Sequence, residues 1–203
     1  MVDREPIAIQ APFVLLVEGW DDVGFMASFL AHHAITEVQV LPYLGRDRLR
    51  TYLLALQNTP GFERVRWLGI SQDADLDAAA AAQRIRDVLR NAGLVVPDRS
   101  WKTMPGSPSV AALVMPNGFD PGDLESLLWQ SVEERQIAKC VLEFLDCVEQ
   151  GAGDLPQPIS KARAYAYMAA SNPPAWRLNM AMRDRIFDFD HPVFRPLLDL
   201  LPT

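Results

Sequence analysis

Residues 13–17 (FVLLV) are apolar at every position, the pattern of a strand covered on both faces. Gly19 turns the chain, and Asp21 or Asp22 suits a helix cap. Val23, Met26, Ala27 and Leu30 then recur at helical spacing, so a helix is expected over 22–33. Residues 37–43 (EVQVLPY) read as a second strand, and Leu49, Tyr52, Leu53 and Leu56 as one face of a second helix, stopped by Pro60-Gly61. A third strand is expected over 64–72 (RVRWLGISQ). It is followed by a helix over 78–92, with Ala81, Ile85, Val88, Leu89 and Ala92 on one face and a stop at Asn91 to Gly93. The order βαβαβα is that of a parallel sheet covered by helices.

The pattern changes over 94–121, where Pro97, Pro105, Pro108, Pro116 and Pro121 punctuate the chain and 110–115 (VAALVM) alone looks like a strand. This stretch reads as loops around one or two further strands. Helices are expected over 122–130, 132–149 and 160–171, with a short one near 191–201, and GAGDLPQP (151–158) is the best internal linker. The fold class is therefore α/β, a parallel-rich sheet with helices on both faces and a helical C-terminal part. We expect one domain over 1–203, in which 13–121 form the α/β core and 122–203 a helical extension packed on it.

Composition narrows the function. Hydrophobic residues at 49% and charged residues at 22% are those of a globular protein rather than a disordered one. Met1 to Gln10 is mixed and polar, unlike a signal peptide, and no run reaches the roughly 18 apolar residues of a membrane span. Cys140 and Cys147, seven apart in an expected helix, read as small buried thiols too distant for a local disulfide. A reducing, cytoplasmic setting fits. The net charge of −7 lacks the basic footprint usual for nucleic-acid binders, so nucleic acid would need a local basic patch or bound cations.

In open parallel sheets, ligands bind beyond the carboxyl ends of the strands. Glu18 follows the first strand; Asp73, Asp75 and Asp77 follow the third. Strands one and three of such a unit are often neighbours, which would bring these acids together. Clustered carboxylates repel one another and persist mainly around a cation, and hard oxygen donors favour Mg²⁺ or Mn²⁺ over zinc. Asp77 is better explained as a helix cap.

The residues Val17-Glu18-Gly19-Trp20-Asp21-Asp22 with Phe25, and then Ser71-Gln72-Asp73-Ala74-Asp75, resemble the signature of the Toprim fold of topoisomerases, bacterial primases and OLD nucleases. Met115 to Leu128 is similar to the Toprim-like pattern in which a later helix supplies another acid, here Glu125. Lys161 to Ala166 (KARAYA) resembles the lysine segment of OLD-type domains. The match looks closest to a small stand-alone Toprim-related family of unknown function. The resemblance implies Glu18 on metal or as general base, Asp73 and Asp75 as metal ligands, Glu125 on a second metal, and Lys161 facing a phosphate. Four carboxylates and a lysine are the parts that metal-assisted phosphodiester cleavage needs. The chain departs from its resemblances in lacking a GxxxxGK[ST] loop, as well as the gating and tyrosine modules of topoisomerases.

The remaining candidates are less telling. His32-His33, ending a helix, reads as a cationic C-terminal cap rather than a metal pair, and His191 has no partner at ligand spacing. Trp20 beside Glu18 could stack a base or pack in the core, and Arg46 and Arg50 share a face that could grip a phosphate. The reading is a metal-dependent nuclease of the Toprim or OLD kind. The alternatives are a non-catalytic module that binds metal, nucleotide or a protein partner, and a small-molecule phosphotransferase. If Arg46, Arg50, Lys161 and Arg163 ring the acids, a polyanion can approach despite the net charge.

Overall fold

A computed structural model of the chain describes residues 8–202; the polar N-terminal stretch considered above lies outside them up to residue 7. Five strands, β1 (Phe13–Val17), β2 (Val38–Pro42), β3 (Trp67–Asp73), β4 (Lys102–Met104) and β5 (Ser109–Met115), form one sheet in the order β2-β1-β3-β5-β4. Four of them are parallel, and β4 closes the edge antiparallel to β5. The helices are α1 (Trp20–His32), α2 (Leu49–Gln57), α3 (Ala78–Asn91), α4 (Leu124–Gln130), α5 (Gln136–Ala152), α6 (Ile159–Ala170), α7 (Leu178–Arg183) and α8 (Arg195–Leu200).

The uninterrupted apolar run of β1 is explained by its central position: all five of its residues are buried, between β2 and β3. Side chains alternate across a strand. Val14 and Leu16, with Leu68, Ile70, Val110, Ala112 and Val114, pack against α2 and α3 on one face. Phe13, Leu15 and Val17, with Trp67, Leu113 and Met115, form the other face under α1 and α4 through α8. The C-terminal helices thus share one continuous core with the sheet. Residues 153–158 join α5 to α6, whereas Gly151 and Ala152 still belong to α5. Gly69 is required by packing, because a Cβ there would stand 2.7 Å from Leu15 Cδ1 and collide with the Trp67 ring.

Three details differ from the expectations. The short strand β4 was not legible, since three residues with an exposed lysine carry no alternation. The helix α7 was also missed. Cys140 and Cys147 are exposed rather than buried. In α5 the buried positions are Ala138, Val141 and Leu145, and the cysteines follow Ala138 and Leu145 by two residues, about 200° round the helix.

Candidate functional site

The sheet register builds a cleft at the carboxyl ends of its strands. Leu16 stands opposite Ile70, so the same offset brings Glu18 level with Gln72, next to Asp73. Asp73 is the last residue of β3, opposite Met115 of β5. Beyond β5 the chain turns back through 116–122 and enters α4, which begins beside Asp73: the Leu124 N–H donates to Asp73 Oδ1 at 3.1 Å. Asp75 and Gly122 exchange two backbone hydrogen bonds of 2.8 Å, tying the turn after β3 to the turn before α4. Asp75 sits at φ 52°, a left-handed conformation that Asp tolerates better than most residues. Gly122 has φ 141°, strained for any other residue, and a Cβ there would meet Ser126 Oγ at 2.7 Å and force it to shift.

The structure sets Glu18 and Glu125 close enough to Asp73 for their charges to act on it, and two further acids, Asp22 and Asp123, join them. Asp22 is a first-turn residue of α1 rather than the cap expected of it or Asp21; its carboxylate reaches back to accept from the N–H of Gly19, the capping residue, at 3.0 Å. Asp123 caps α4, its Oδ1 accepting from Ser126 N and Oγ at 2.9 and 2.8 Å and its Oδ2 from Ser160 Oγ at 2.7 Å. Both were missed as members of the group. Asp77 is a cap, as expected, accepting from Ala80 N at 2.9 Å.

The electrostatics record the crowding. Burial, then the negative charges of Asp22, Glu18, Asp123 and Glu125, push Asp73 up to about 9. Burial and Asp123 push Glu125 up to about 7 against the pull of Lys161. Burial, chiefly, holds Asp22 at about 6. Glu18 is raised by burial and by Asp75, while the backbone N–H groups of Arg46 and Asp73 oppose the rise. Two cations answer these acids. Lys161 Nζ lies 3.8 Å from Glu125 Oε1, its own proton held more tightly by that carboxylate, and Glu125 is nearly buried where Lys161 is half exposed. The Arg46 guanidinium donates to Asp75 Oδ2 at 3.0 Å.

The other basic candidates do not ring the acids. Arg163 lies over the Trp129 ring, 5.8 Å from its centroid, in a depression between α4 and α6, and Arg50 is exposed. Trp20 is 69% exposed and so is not core. At the same edge of the sheet Leu76 (91%) and Phe119 (80%) are also exposed, following β3 and β5. His191 caps a short turn, accepting from Val193 N at 3.2 Å.

The donor set suits a hard divalent ion, all oxygen and strained by mutual repulsion. Among the described residues, no three of these carboxylates bring ligand atoms within 4.8 Å of one another. An ion held by three of them would need their side chains to move together, whereas Mg²⁺ commonly takes one or two carboxylates and keeps several waters.

Known proteins add a family and a faint likeness. The model of a family described as "Protein of unknown function (DUF3226)" matches residues 12–203. No curated protein matches the chain. Among solved structures, the C-terminal region of the Burkholderia pseudomallei OLD protein is similar at 16% identity and a TM-score of 0.46, covering 88% of this chain and 100% of that one. The C-terminal region of the Xanthomonas campestris pv. campestris OLD protein is similar at 15% identity and a TM-score of 0.38, covering 95% and 89%. Likenesses of this size carry no inference about activity. No helix among the described residues is long and apolar enough to cross a membrane.

Proposed function

We propose, for a chain that belongs to the DUF3226 family, that the acidic cleft is a Toprim-like Mg²⁺ or Mn²⁺ site for phosphodiester chemistry, most simply a nuclease. The observation that carries this reading is the gathering of Glu18, Asp73 and Glu125 at the carboxyl edge of a parallel sheet, with Asp73 pushed up to about 9. So strained a group costs stability in the absence of a cation and gains from binding one. The bound ion would supply charge neutralisation at phosphorus and an activated nucleophile. Glu18 and Asp73 would hold it, with Asp75 released from Arg46, and Glu125 would serve a second ion. Glu18, only partly buried, would also be the group to take up a proton from the nucleophile. Lys161, half exposed beside Glu125, would face the phosphate. Trp20, Leu76 and Phe119 offer apolar surface at the same edge for bases.

Purified protein with Mn²⁺ at low ionic strength should cleave single-stranded DNA, duplex DNA or RNA. Glu18→Gln should abolish cleavage with the fold intact, and Lys161→Ala should slow it without weakening metal binding. Cleavage that survives Glu18→Gln would reject the assignment.

A second reading is favoured by the basic residues. Only Arg46 and Lys161 of the four candidates face the acids, and both already pair with a carboxylate. That economy of positive charge suits a small phosphate ester, or a metal-binding module without catalysis, better than a long polyanion. Small phosphate esters tested beside the nucleic acids separate the readings.

A further inference from the structure

α1 has a second constellation at its other end. The helix runs 13 residues, about 20 Å, from the acidic cleft to His32, its last residue, and His33, its cap. The two imidazoles stand perpendicular, with ring centroids 4.7 Å apart. A third donor arrives from the far end of the chain. Phe189 is buried against Phe25, Phe29 and Phe194, with ring centroids 5.7–6.0 Å apart, and its own ring lies 5.8 Å from that of His32. This packing fixes the backbone of the next residue, Asp190, whose Oδ1 lies 2.8 Å from His32 Nε2. One ligand atom from each of His32, His33 and Asp190 lies within 4.8 Å of the others.

His33 Nε2 is buried without a hydrogen-bond partner; His32 Nδ1 is unpartnered too, but it is the ring nitrogen opposite the Nε2 that meets Asp190. Native interiors pair nearly all such groups, and an orphan among histidines often marks a place for an ion or an ordered water. The peptide carbonyls at the end of a helix favour a cation nearby. Arg135 and Arg185 line the adjoining depression of about 180 Å³. Arg135 is committed to Asp188 at 3.2 Å, and Arg185 is exposed, where water screens its charge.

The geometry points to a divalent transition-metal site of the zinc type, formed by His32, His33 and Asp190, that pins the loop carrying Asp190 to the end of α1. Two imidazoles and a carboxylate are a zinc donor set and a poor one for Mg²⁺. Ligand atoms on a tetrahedral ion at about 2.0–2.1 Å stand about 3.3 Å apart. The His32–Asp190 contact therefore opens slightly and His33 closes in, a small movement for the exposed Asp190. Water takes the fourth position. The site is distinct from the acidic cleft in ligands, ion and place.

The test is zinc titration of the purified full-length protein against a chromophoric chelator, with melting temperature and the visible spectrum of the Co²⁺ form as independent readouts. One zinc per chain, a raised melting temperature and a tetrahedral Co²⁺ spectrum are expected. His32→Gln, His33→Gln and Asp190→Asn should each weaken binding about 100-fold or more, since even supporting residues behind a ligand are worth about 10–100-fold. Asp75→Asn should leave it unchanged. Asp190→Asn is the decisive variant, because Asp190 is exposed and Asn can still bond to His32. Absence of zinc binding would overturn the proposal. So would binding indifferent to Asp190→Asn, or binding lost with Asp75→Asn.

Discussion

Replacing Asp73 by Asn removes the most strained carboxylate without removing the hydrogen bond it accepts from the Leu124 N–H, because an amide oxygen can take the same place. In the folded, metal-free protein Asp73 keeps its proton to about pH 9, through burial first and then the charges of Asp22, Glu18, Asp123 and Glu125. The unfolded chain releases that proton near the ordinary Asp value of about 3.9. Between those values the folded state binds the extra proton, so stability is full at low pH and falls as pH rises. The slope approaches about 1.4 kcal/mol per pH unit, or about 4 kcal/mol from pH 4 to pH 7. The neighbouring acids titrate together with Asp73 and share the effect, so a gain of about 2–4 kcal/mol at pH 7 is expected for Asp73→Asn. Urea unfolding with chelator present, at unit steps from pH 4 to pH 8, measures it. The variant should match the wild type near pH 4 and pull ahead steadily above it. Parallel stability profiles would refute the reasoning.

The remaining predictions concern the surroundings of that carboxylate. Millimolar Mg²⁺ or Mn²⁺ should raise the melting temperature of the wild type, and Asp75→Asn should remove most of the gain in a thermal-shift titration. Lys161→Met should push Glu125 above its value of about 7, because the lysine is the cation that holds it down, as an NMR titration of the Glu125 carboxyl carbon would show. Gly122→Ala should cost about 1–3 kcal/mol in urea unfolding, through the left-handed backbone and the clash with Ser126 Oγ. Trp20→Ala should change stability by less than about 0.5 kcal/mol, since the ring is 69% exposed, while weakening any nucleic-acid binding seen by fluorescence anisotropy.

The parallel sheet was legible because β1 is buried on both faces, which writes an unbroken apolar run into the chain, and β3, buried over Trp67 to Gln72, is largely apolar at its start. From that run and the strand-end rule, Glu18 and Asp73 were expected in one cleft. Glu125 and Lys161 came from family resemblance, and they do meet, at 3.8 Å. Asp22 was legible only as a candidate cap and Asp123 was not singled out at all, since a carboxylate at a helix start says nothing about which other acids the fold brings beside it. The pairing of His32 with Asp190 spans 158 residues and depends on an aromatic cluster, so no local pattern could announce it. Trp20 shows the reverse limit. The sequence put it in the turn before a helix expected from residue 22, whereas it is the first residue of α1, and whether its ring was buried depended on where α1 meets the sheet.

Anomalous scattering from a crystal soaked in Mn²⁺ tests the central claim most directly. The account predicts a manganese peak within about 2.0–2.6 Å of carboxylate oxygens of Glu18 and of Asp73 or Asp75, with Arg46 turned away from Asp75. A crystal saturated with Mn²⁺ that shows no peak in the cleft, or shows manganese only at other carboxylates, would contradict it.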